Sequence, residues 1–229
     1  MQFRSLALAL LASSVAIAAC DDDPTGPGSN NNATVRFVNA TSTSLDIGQG
    51  GTVATGNGAL AYGTFSNCMT VDATNANVAV RQTGTSTALT GFTPAFQPGG
   101  NYTVIVYPGA GGTTQFTTVA NAFTPAAGQG GLRVFNAAGL GTNYDVYVGA
   151  PGAALGSPAA NNISYGSGSS YFNVATSAAQ QVRLTNAGSQ TVVLDVGNRS
   201  FAAGQNATLV IAPPATGATP RAFYVNGCT

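Results

Sequence analysis

The few charged side chains are the first candidates for chemistry in this chain of 229 residues. All seven cations are Arg and all seven anions are Asp, so Lys, Glu and His are absent. Chemistry that needs a histidine base, a histidine-ligated metal or a lysine nucleophile is therefore excluded. The zero net charge and the lack of a basic cluster argue against nucleic-acid binding. We expect a non-enzymatic protein without a cofactor or metal site.

Six of these charges lie at positions that recur in the two halves of the chain. The recurring pairs are Arg36 with Arg133, Asp46 with Asp145, and Arg81 with Arg183, the last of which depends on where the gap between the two halves is placed. An Arg and an Asp on neighbouring strands can form a bidentate ion pair, which is strongest when it is partly buried. We interpret these six residues as structural ion pairs that clamp each half. The alternative is a polar binding site that is present once in each half.

The first cysteine follows a segment that is typical of a secretory signal. Arg4 precedes the apolar residues 5–16, which are too few to span a bilayer. Residues 17–20, Ile-Ala-Ala-Cys, resemble the bacterial lipobox, in which the Cys is lipidated and the preceding peptide is removed. We therefore predict a signal peptide at 1–19 and a lipid on Cys20. Ordinary signal cleavage with a free thiol is the alternative.

The residues that follow Cys20 are polar and rich in Pro, Gly and Asn, so residues 20–33 are predicted to be a flexible tether. The lipid would hold the protein at the membrane of the cell envelope. We favour the outer membrane or the cell surface, and the inner membrane facing the periplasm is the alternative. Asp21–Asp23 could bind Ca²⁺ weakly, but we interpret them as part of the solvated tether.

Cys68 and Cys228 remain once Cys20 is lipidated. An exported protein occupies a compartment where disulfides persist, and an even number of remaining cysteines suggests a bridge. We predict a bond between Cys68 and Cys228, which would attach the end of the chain to its first half. Two free thiols and an intermolecular bridge are the alternatives.

The body of the chain is an internal repeat of about 100 residues. Residues 35–40 recur at 132–137, and residues 101–106 recur at 206–211. Short runs of Val, Ile, Thr, Tyr and Phe alternate with Gly, Asn, Ser and Pro, which indicates β-strands. We predict strands in the first half near 34–39, 43–47, 68–72, 77–82, 87–91, 102–107 and 114–120, and in the second near 132–137, 143–149, 170–175, 180–185, 191–196, 207–212 and 221–226.

About seven strands in each half fit two tandem immunoglobulin-like β-sandwich domains, an all-β fold. The continuously apolar runs 102–107 and 207–212 are predicted to be central strands. The predicted organisation is a signal peptide at 1–19, a lipidated Cys and tether at 20–33, a first domain at 34–123, a linker at 124–131 and a second domain at 132–229.

Four elements resemble the bacterial domain of unknown function 4397 family. They are the opening strands at 35–40 and 132–137, the following strands around Asp46 and Asp145, the Tyr-Gly-Thr and Tyr-Gly-Ser turns, and the late Gly-x-Asn-x-Thr strands. The resemblance covers nearly all of the mature chain as two copies. It implies an exported protein, often a lipoprotein, with immunoglobulin-like domains. It implies no activity.

These observations predict a lipid-anchored envelope protein whose domains serve binding or adhesion. The neutral surface, rich in Thr, Ser, Asn, Gly and Tyr, suits an envelope protein or a glycan as partner. A structural spacer or self-assembling subunit without a soluble ligand is the alternative, because β-sheet edges favour association. A glycosidase would need two carboxylates within about 10 Å, and the repeat assigns Asp46 and Asp145 to separate halves.

Overall fold

The computed structural model describes residues 31–54, 56–139 and 141–228. The predicted signal peptide, Cys20 and most of the predicted tether lie outside these residues. Within them the chain forms fifteen β-strands and one 3₁₀ turn at Ala110–Gly112. No helix among these residues has the length and apolar character that crossing a membrane requires. The predicted all-β class is confirmed.

The first seven strands form two sheets, sheet A and sheet B, which together make the first unit. The strands are β1 (Asn32–Asn39), β2 (Leu45–Gln49), β3 (Thr52–Val53), β4 (Met69–Asp72), β5 (Val78–Gln82), β6 (Asn101–Pro108) and β7 (Thr114–Ala120). Sheet A has the order β4-β1-β6-β7, and sheet B has the order β3-β2-β5. β1 runs parallel to β6, and the other neighbours are antiparallel.

The remaining strands form sheet C and sheet D, the second unit. They are β8 (Gln129–Asn136), β9 (Tyr144–Gly149), β10 (Ala160–Ile163), β11 (Phe172–Ala175), β12 (Gln180–Asn186), β13 (Val192–Arg199), β14 (Asn206–Ala212) and β15 (Arg221–Asn226). Sheet C has the order β11-β8-β14-β15 and sheet D the order β10-β9-β12-β13. β8 runs parallel to β14, as β1 does to β6, so sheets A and C share one strand order.

Strand alternation directs side chains into three separate cores. Sheets A and B enclose the first core, which includes Phe37 and Val104, and sheets C and D enclose the second, which includes Val134 and Leu209. The next residue along each strand points to the opposite face of its sheet. Those residues form the shared core between sheets A and C: Val38, Ala40, Ile105, Tyr107, Phe135, Ala137, Val210, Ala212 and Val225.

The four sheets therefore stack in the order B, A, C, D. β6 and β14 are interior strands of the two middle sheets, as their continuously apolar sequences predicted. Both of their faces are buried, which removes the alternation of polar and apolar residues that a strand with one exposed face shows. The two sandwiches thus pack back to back, while the finer immunoglobulin-like assignment stays a prediction.

Two predicted boundaries need correction. β1 begins at Asn32, inside the predicted tether 20–33, and β8 begins at Gln129, inside the predicted linker 124–131. Gly130 and Gly131 indicated a linker because glycine is common in flexible segments. In the structure they are buried strand residues, and a Cβ at Gly131 would overlap the side chains of Asn206 and Phe123. Glycine therefore permits close packing at this position rather than flexibility.

One predicted strand is reduced to a single bridge. Residues 87–91 contribute only the pairing of Ala88 with Arg81 at the edge of sheet B, whereas β13 is a full edge strand of sheet D. The short strands β3 and β10, of two and four residues, were not predicted. The two units therefore differ mainly at the edges of their outer sheets.

The predicted disulfide between Cys68 and Cys228 is confirmed. The two Cα atoms are 5.8 Å apart, and 160 residues separate the cysteines in the chain. Cys68 immediately precedes β4 at the edge of sheet A, and Cys228 follows β15 at the edge of sheet C. The bond therefore links the two middle sheets at one end of the shared core.

Replacing both cysteines by serine is expected to destabilise the fold without changing it. Closing a loop of this length removes chain entropy from the unfolded state, which corresponds to about 5 kcal/mol in the free energy of unfolding. Urea unfolding followed by circular dichroism measures this loss, and the strand signal of the native state should remain. The single Cys20→Ser variant is the control, and an equal loss of stability in it would contradict the assignment.

The shared core is expected to make the two units unfold together. Phe135 is fully buried between them, and Phe135→Ala should cost about 3–5 kcal/mol. Calorimetry of the wild-type chain should give one transition, because unfolding either unit exposes the shared face of the other.

Phe65→Ala is the matched control for this substitution, since Phe65 is 43% exposed. Its loss of stability should stay below about 1 kcal/mol. Two well-separated transitions in the wild-type chain would contradict a shared core.

Candidate functional site

Two recurring arginines lie on the faces of sheets A and C that meet each other. Arg36 lies between Val35 and Phe37, whose side chains belong to the first core. It therefore points away from the first core and toward the second unit. Arg133 is placed in the same way on β8, and the two are paired with Thr103 and Thr208 in equivalent registers. Both arginines consequently reach across the boundary between the units.

Arg133 is buried, and all of its hydrogen-bond partners are neutral. Its Nη1 donates to the backbone oxygen of Ala120 at 2.8 Å. Its Nη2 donates to Asn121 Oδ1 at 3.1 Å and to Thr208 Oγ1 at 2.9 Å. The guanidinium lies 4.4 Å from the centre of the Tyr171 ring, which adds a cation–π contact. Burial lowers the pKa of the Arg133 guanidinium.

Arg36 repeats the first of these contacts from the other side. Its Nη1 donates to the backbone oxygen of Asn226 at 2.6 Å. Asn226 is equivalent to Ala120, because they pair with Ala207 and Tyr102 at matching positions of β14 and β6. Each arginine thus holds the last residue of the edge strand of the other unit. The arrangement is an approximate two-fold symmetry within one chain.

The opposite end of the boundary follows the same symmetry. The Tyr62 hydroxyl donates to the backbone oxygen of Pro213, and the Tyr165 hydroxyl donates to that of Pro108. Both tyrosines belong to the recurring Tyr-Gly turns. These turns therefore hold the two units together at the end away from the arginines.

Asparagines complete the polar end of the boundary. Asn121 Nδ2 donates to Asn101 Oδ1 at 2.7 Å and to Thr103 Oγ1 at 3.1 Å. Asn101 Nδ2 donates to the backbone oxygen of Cys228. Asn206 Nδ2 donates to the backbone oxygen of Phe123 at 2.7 Å. These bonds satisfy the ends of β7 and β15 where the sheets meet.

A cleft opens at this polar end, next to the disulfide. Its volume is about 270 Å³, and its walls include Arg36 and Asn101 from the first unit and Asn226, Gly227 and Cys228 from the second. We call it the Arg36 cleft. Burial lowers the pKa of the Arg36 guanidinium. With a guanidinium and carboxamides in its walls, the cleft is suited to binding a polar ligand that offers oxygen acceptors.

The predicted clamp does not join Arg36 to Asp46, since these two side chains point in different directions. Arg81, directly opposite Asp46 on β5, is the arginine whose charge acts on this carboxylate. Asp46 lies between the core residues Leu45 and Ile47, so it points out of sheet B, whereas Arg36 points toward sheet C. Asp46 Oδ1 accepts hydrogen bonds from the Ala59 backbone N–H at 2.7 Å and from the Thr83 hydroxyl at 3.0 Å. The Ala59 N–H lowers the pKa of Asp46.

Asp145 has the same role in the second unit. It is buried and accepts hydrogen bonds from the backbone N–H groups of Asn162 at 2.7 Å and Gly188 at 2.8 Å. Ala59 and Asn162 both have positive φ angles, 50° and 49°, which non-glycine residues adopt at a cost. The recurring aspartates therefore hold two strained backbone segments, and they act as the structural device that their recurrence suggested.

The predicted equivalence of Arg81 and Arg183 is also wrong. Asp46 pairs with Arg81, but Asp145 pairs with Thr185, so Arg81 is equivalent to Thr185. Arg183 lies two residues earlier, opposite Asp195 on β13. The alignment that matches Arg81 with Arg183 differs by a gap of two residues from the alignment that the strand register gives. The register is decisive, because it shows which residues lie opposite the equivalent aspartates.

The other two described aspartates also bind backbone groups at turns. Asp72 Oδ1 accepts from the Thr74 backbone N–H at 2.8 Å, and Asp195 Oδ1 accepts from the Gly197 N–H at 2.8 Å. No group of three His, Cys, Asp or Glu side chains that could hold a metal ion occurs in the described part of the chain. The four described carboxylates thus act as hydrogen-bond acceptors for backbone N–H groups.

Asn101, Asn121, Asn206 and Asn226 were not among the predicted site residues. Asn101 and Asn206 belong to the recurring Gly-x-Asn-x-Thr strands, and that recurrence was a usable signal. Asn121 and Asn226 have no counterpart of the same type, since their equivalents are Gly227 and Ala120. Only the pairing of the strands brings these two residues to the site.

The fold and this boundary define an all-β protein of two sandwiches with a polar cleft between them. Residues 33–141 match the model of the family described as Domain of unknown function (DUF4397). The predicted resemblance to this family is therefore confirmed for residues 33–141. The match spans the first unit and extends through β8. No curated protein matches the chain.

Asp145→Ala is expected to lower the free energy of unfolding by about 3 kcal/mol, because it leaves two backbone N–H groups without a charged acceptor. Thermal unfolding measures the change. Asp195→Ala is the control, since Asp195 is exposed, and it should cost less than about 1 kcal/mol.

A double-mutant cycle that combines Asp145→Ala with Arg133→Met tests whether Asp145 acts through its backbone hydrogen bonds or through an ion pair with Arg133. The coupling between Arg133 and Asp145 should stay below about 0.5 kcal/mol. Coupling above 1 kcal/mol, a value typical of residues in contact, would restore the clamp.

Proposed function

We propose that this protein is a non-enzymatic, lipid-anchored component of the bacterial cell envelope. Its tandem immunoglobulin-like domains serve binding or adhesion, and the partner is an envelope protein or a glycan. Cys20 carries the lipid, the residues after it form the tether, and the outer membrane or cell surface is the favoured location.

The observation that carries this proposal is the use of the charged side chains. Each of the four described aspartates accepts hydrogen bonds from backbone N–H groups. Such carboxylates are committed to the fold and are poor candidates for acid–base catalysis. The polar Arg36 cleft, in contrast, is accessible to a ligand and offers hydrogen-bonding groups of both units. These features favour a binding role over a catalytic one.

The second candidate is a structural spacer or self-assembling envelope subunit. Open sheets support it, because β7 and β13 are long edge strands with one unpaired side within the described chain. Such edges can pair with another chain. Size-exclusion chromatography of the lipid-free protein separates the two candidates: concentration-dependent oligomers favour the spacer, and a monomer at high concentration favours the binding module.

The anchor is tested by expressing the full chain in a bacterial host that is fed an alkyne-labelled fatty acid. The wild-type chain should incorporate the label and sediment with membranes, whereas Cys20→Ser should do neither. The Cys68→Ser/Cys228→Ser double variant is the control and should keep the label. An unlabelled wild-type chain would contradict the proposal. Proteinase treatment of intact cells then distinguishes the cell surface from the periplasm.

A further inference from the structure

The two arginine sites at the unit boundary differ in one respect. At Arg133 the side chain of Asn121 supplies an oxygen that accepts a hydrogen bond from Nη2. The residue equivalent to Asn121 is Gly227, because each follows the last residue of its edge strand. Gly227 has no side chain, so nothing corresponds to the Asn121 oxygen at Arg36. Nη2 of Arg36 makes no hydrogen bond to the described residues, and the Arg36 cleft lies there.

The charge balance of the described residues leaves Arg36 without a counterion. They include six Arg and four Asp, a formal charge of +2 (6 − 4). The four carboxylates accept hydrogen bonds at turns of the backbone, and Arg36 donates to a neutral carbonyl. Partial burial disfavours an uncompensated charge. A negatively charged group in the cleft would compensate the guanidinium.

The donors of the cleft match an oxyanion. A guanidinium binds carboxylate and sulfate oxygens through charge-assisted hydrogen bonds. Asn226 turns its side chain toward Arg199 of sheet D and presents its backbone oxygen to Arg36. The charged donor of the cleft is therefore the Arg36 guanidinium, whose equivalent at Arg133 is already satisfied by the Asn121 oxygen.

The size of the cleft and the aromatic ring next to Arg36 indicate what carries the oxyanion. A volume of about 270 Å³ is below the roughly 300–1,000 Å³ of clefts for drug-sized ligands, so one sugar ring fills it. Arg36 lies 5.0 Å from the centre of the Phe65 ring, and Phe65 is 43% exposed. An exposed aromatic ring and carboxamides beside a guanidinium suit the apolar face, the hydroxyl groups and the acid group of a sugar.

We propose that the Arg36 cleft binds the carboxylate or sulfate group of an acidic saccharide. This rests on the proposed binding function and names its ligand class. The acid group takes the place that the Asn121 carboxamide occupies at the equivalent arginine. The sugar ring lies toward Phe65, between the two units.

The test is a calorimetric titration of the full chain carrying Cys20→Ser, at neutral pH and low salt. The probes are glucuronate, sulfate, glucose and N-acetylalanine. Glucuronate and sulfate should bind, and glucose should bind at least tenfold more weakly, because a charge-assisted hydrogen bond contributes about a factor of ten or more. N-acetylalanine carries the acid without the sugar and should bind more weakly than glucuronate.

Two variants assign the binding to the cleft. Arg36→Gln should weaken glucuronate binding at least tenfold. Gly227→Asn should do the same while keeping Arg36, since it supplies the missing carboxamide. A Cβ at Gly227 would contact Asn121 at an ordinary distance of 3.4–3.5 Å, so the variant is expected to fold. Arg221→Gln, at the exposed far end of β15, removes the same charge and should change the affinity less than twofold.

The outcomes separate this inference from the proposed function. Absence of glucuronate binding, or unchanged binding in Arg36→Gln or Gly227→Asn, would overturn the site. Tighter binding of N-acetylalanine than of glucuronate would overturn the saccharide and indicate a peptide carboxylate. Loss of the lipid label in wild-type cells would instead refute the envelope anchor. The titration of the purified protein does not depend on that result.

Discussion

Sheets A and C bury both of their faces, and the rest of the structure depends on this constraint. Each of them contributes one face to its own sandwich and the other to the shared core. Burial of Phe135, Ile105 and their neighbours between the sheets supplies the hydrophobic energy that joins the units. A protein with two sandwiches on a flexible linker would expose these residues to water. The boundary between the units is thus as much a core as either sandwich interior.

The shared face is apolar over most of its length and polar at one end, where the Arg36 cleft lies. The strands that supply Ile105 and Val210 begin with Asn101 and Asn206, so carboxamides and arginines gather where β6 and β14 start. The approximate two-fold symmetry relates Arg36 to Arg133, but the residues around the two arginines differ. Arg133 is enclosed by Asn121 and Tyr171, whereas Arg36 faces Gly227 and the disulfide. The Arg36 cleft lies where Gly227 stands in place of Asn121.

The scarcity of carboxylates explains how arginines can remain available for a ligand. The four aspartates bind turn N–H groups, and Asp46 and Asp145 hold the strained residues Ala59 and Asn162. Strand alternation separates Arg36 from Asp46 within one unit. Arg36 and Arg133 therefore lie at the boundary, whereas the described aspartates lie on the outer sheets and at turns.

The sequence by itself determined the all-β class, the repeat, most strands and the pairing of Cys68 with Cys228, because these depend on local composition, periodicity and cysteine count. It also placed Arg36, Asp46, Arg133 and Asp145 at equivalent positions. Side-chain alternation already placed Arg36 and Asp46 on faces outside the first core, a signal that the clamp interpretation did not use.

Only the tertiary structure decided which faces meet. The register of β5 and β12 separated Arg81 from Arg183, and the stacking of sheets A and C brought Arg36 to Asn226 across 190 residues. Residues from different units meet through the packing of the sheets, and no pattern along the chain encodes the distance between them. The Arg36 cleft is therefore a property of the assembled fold.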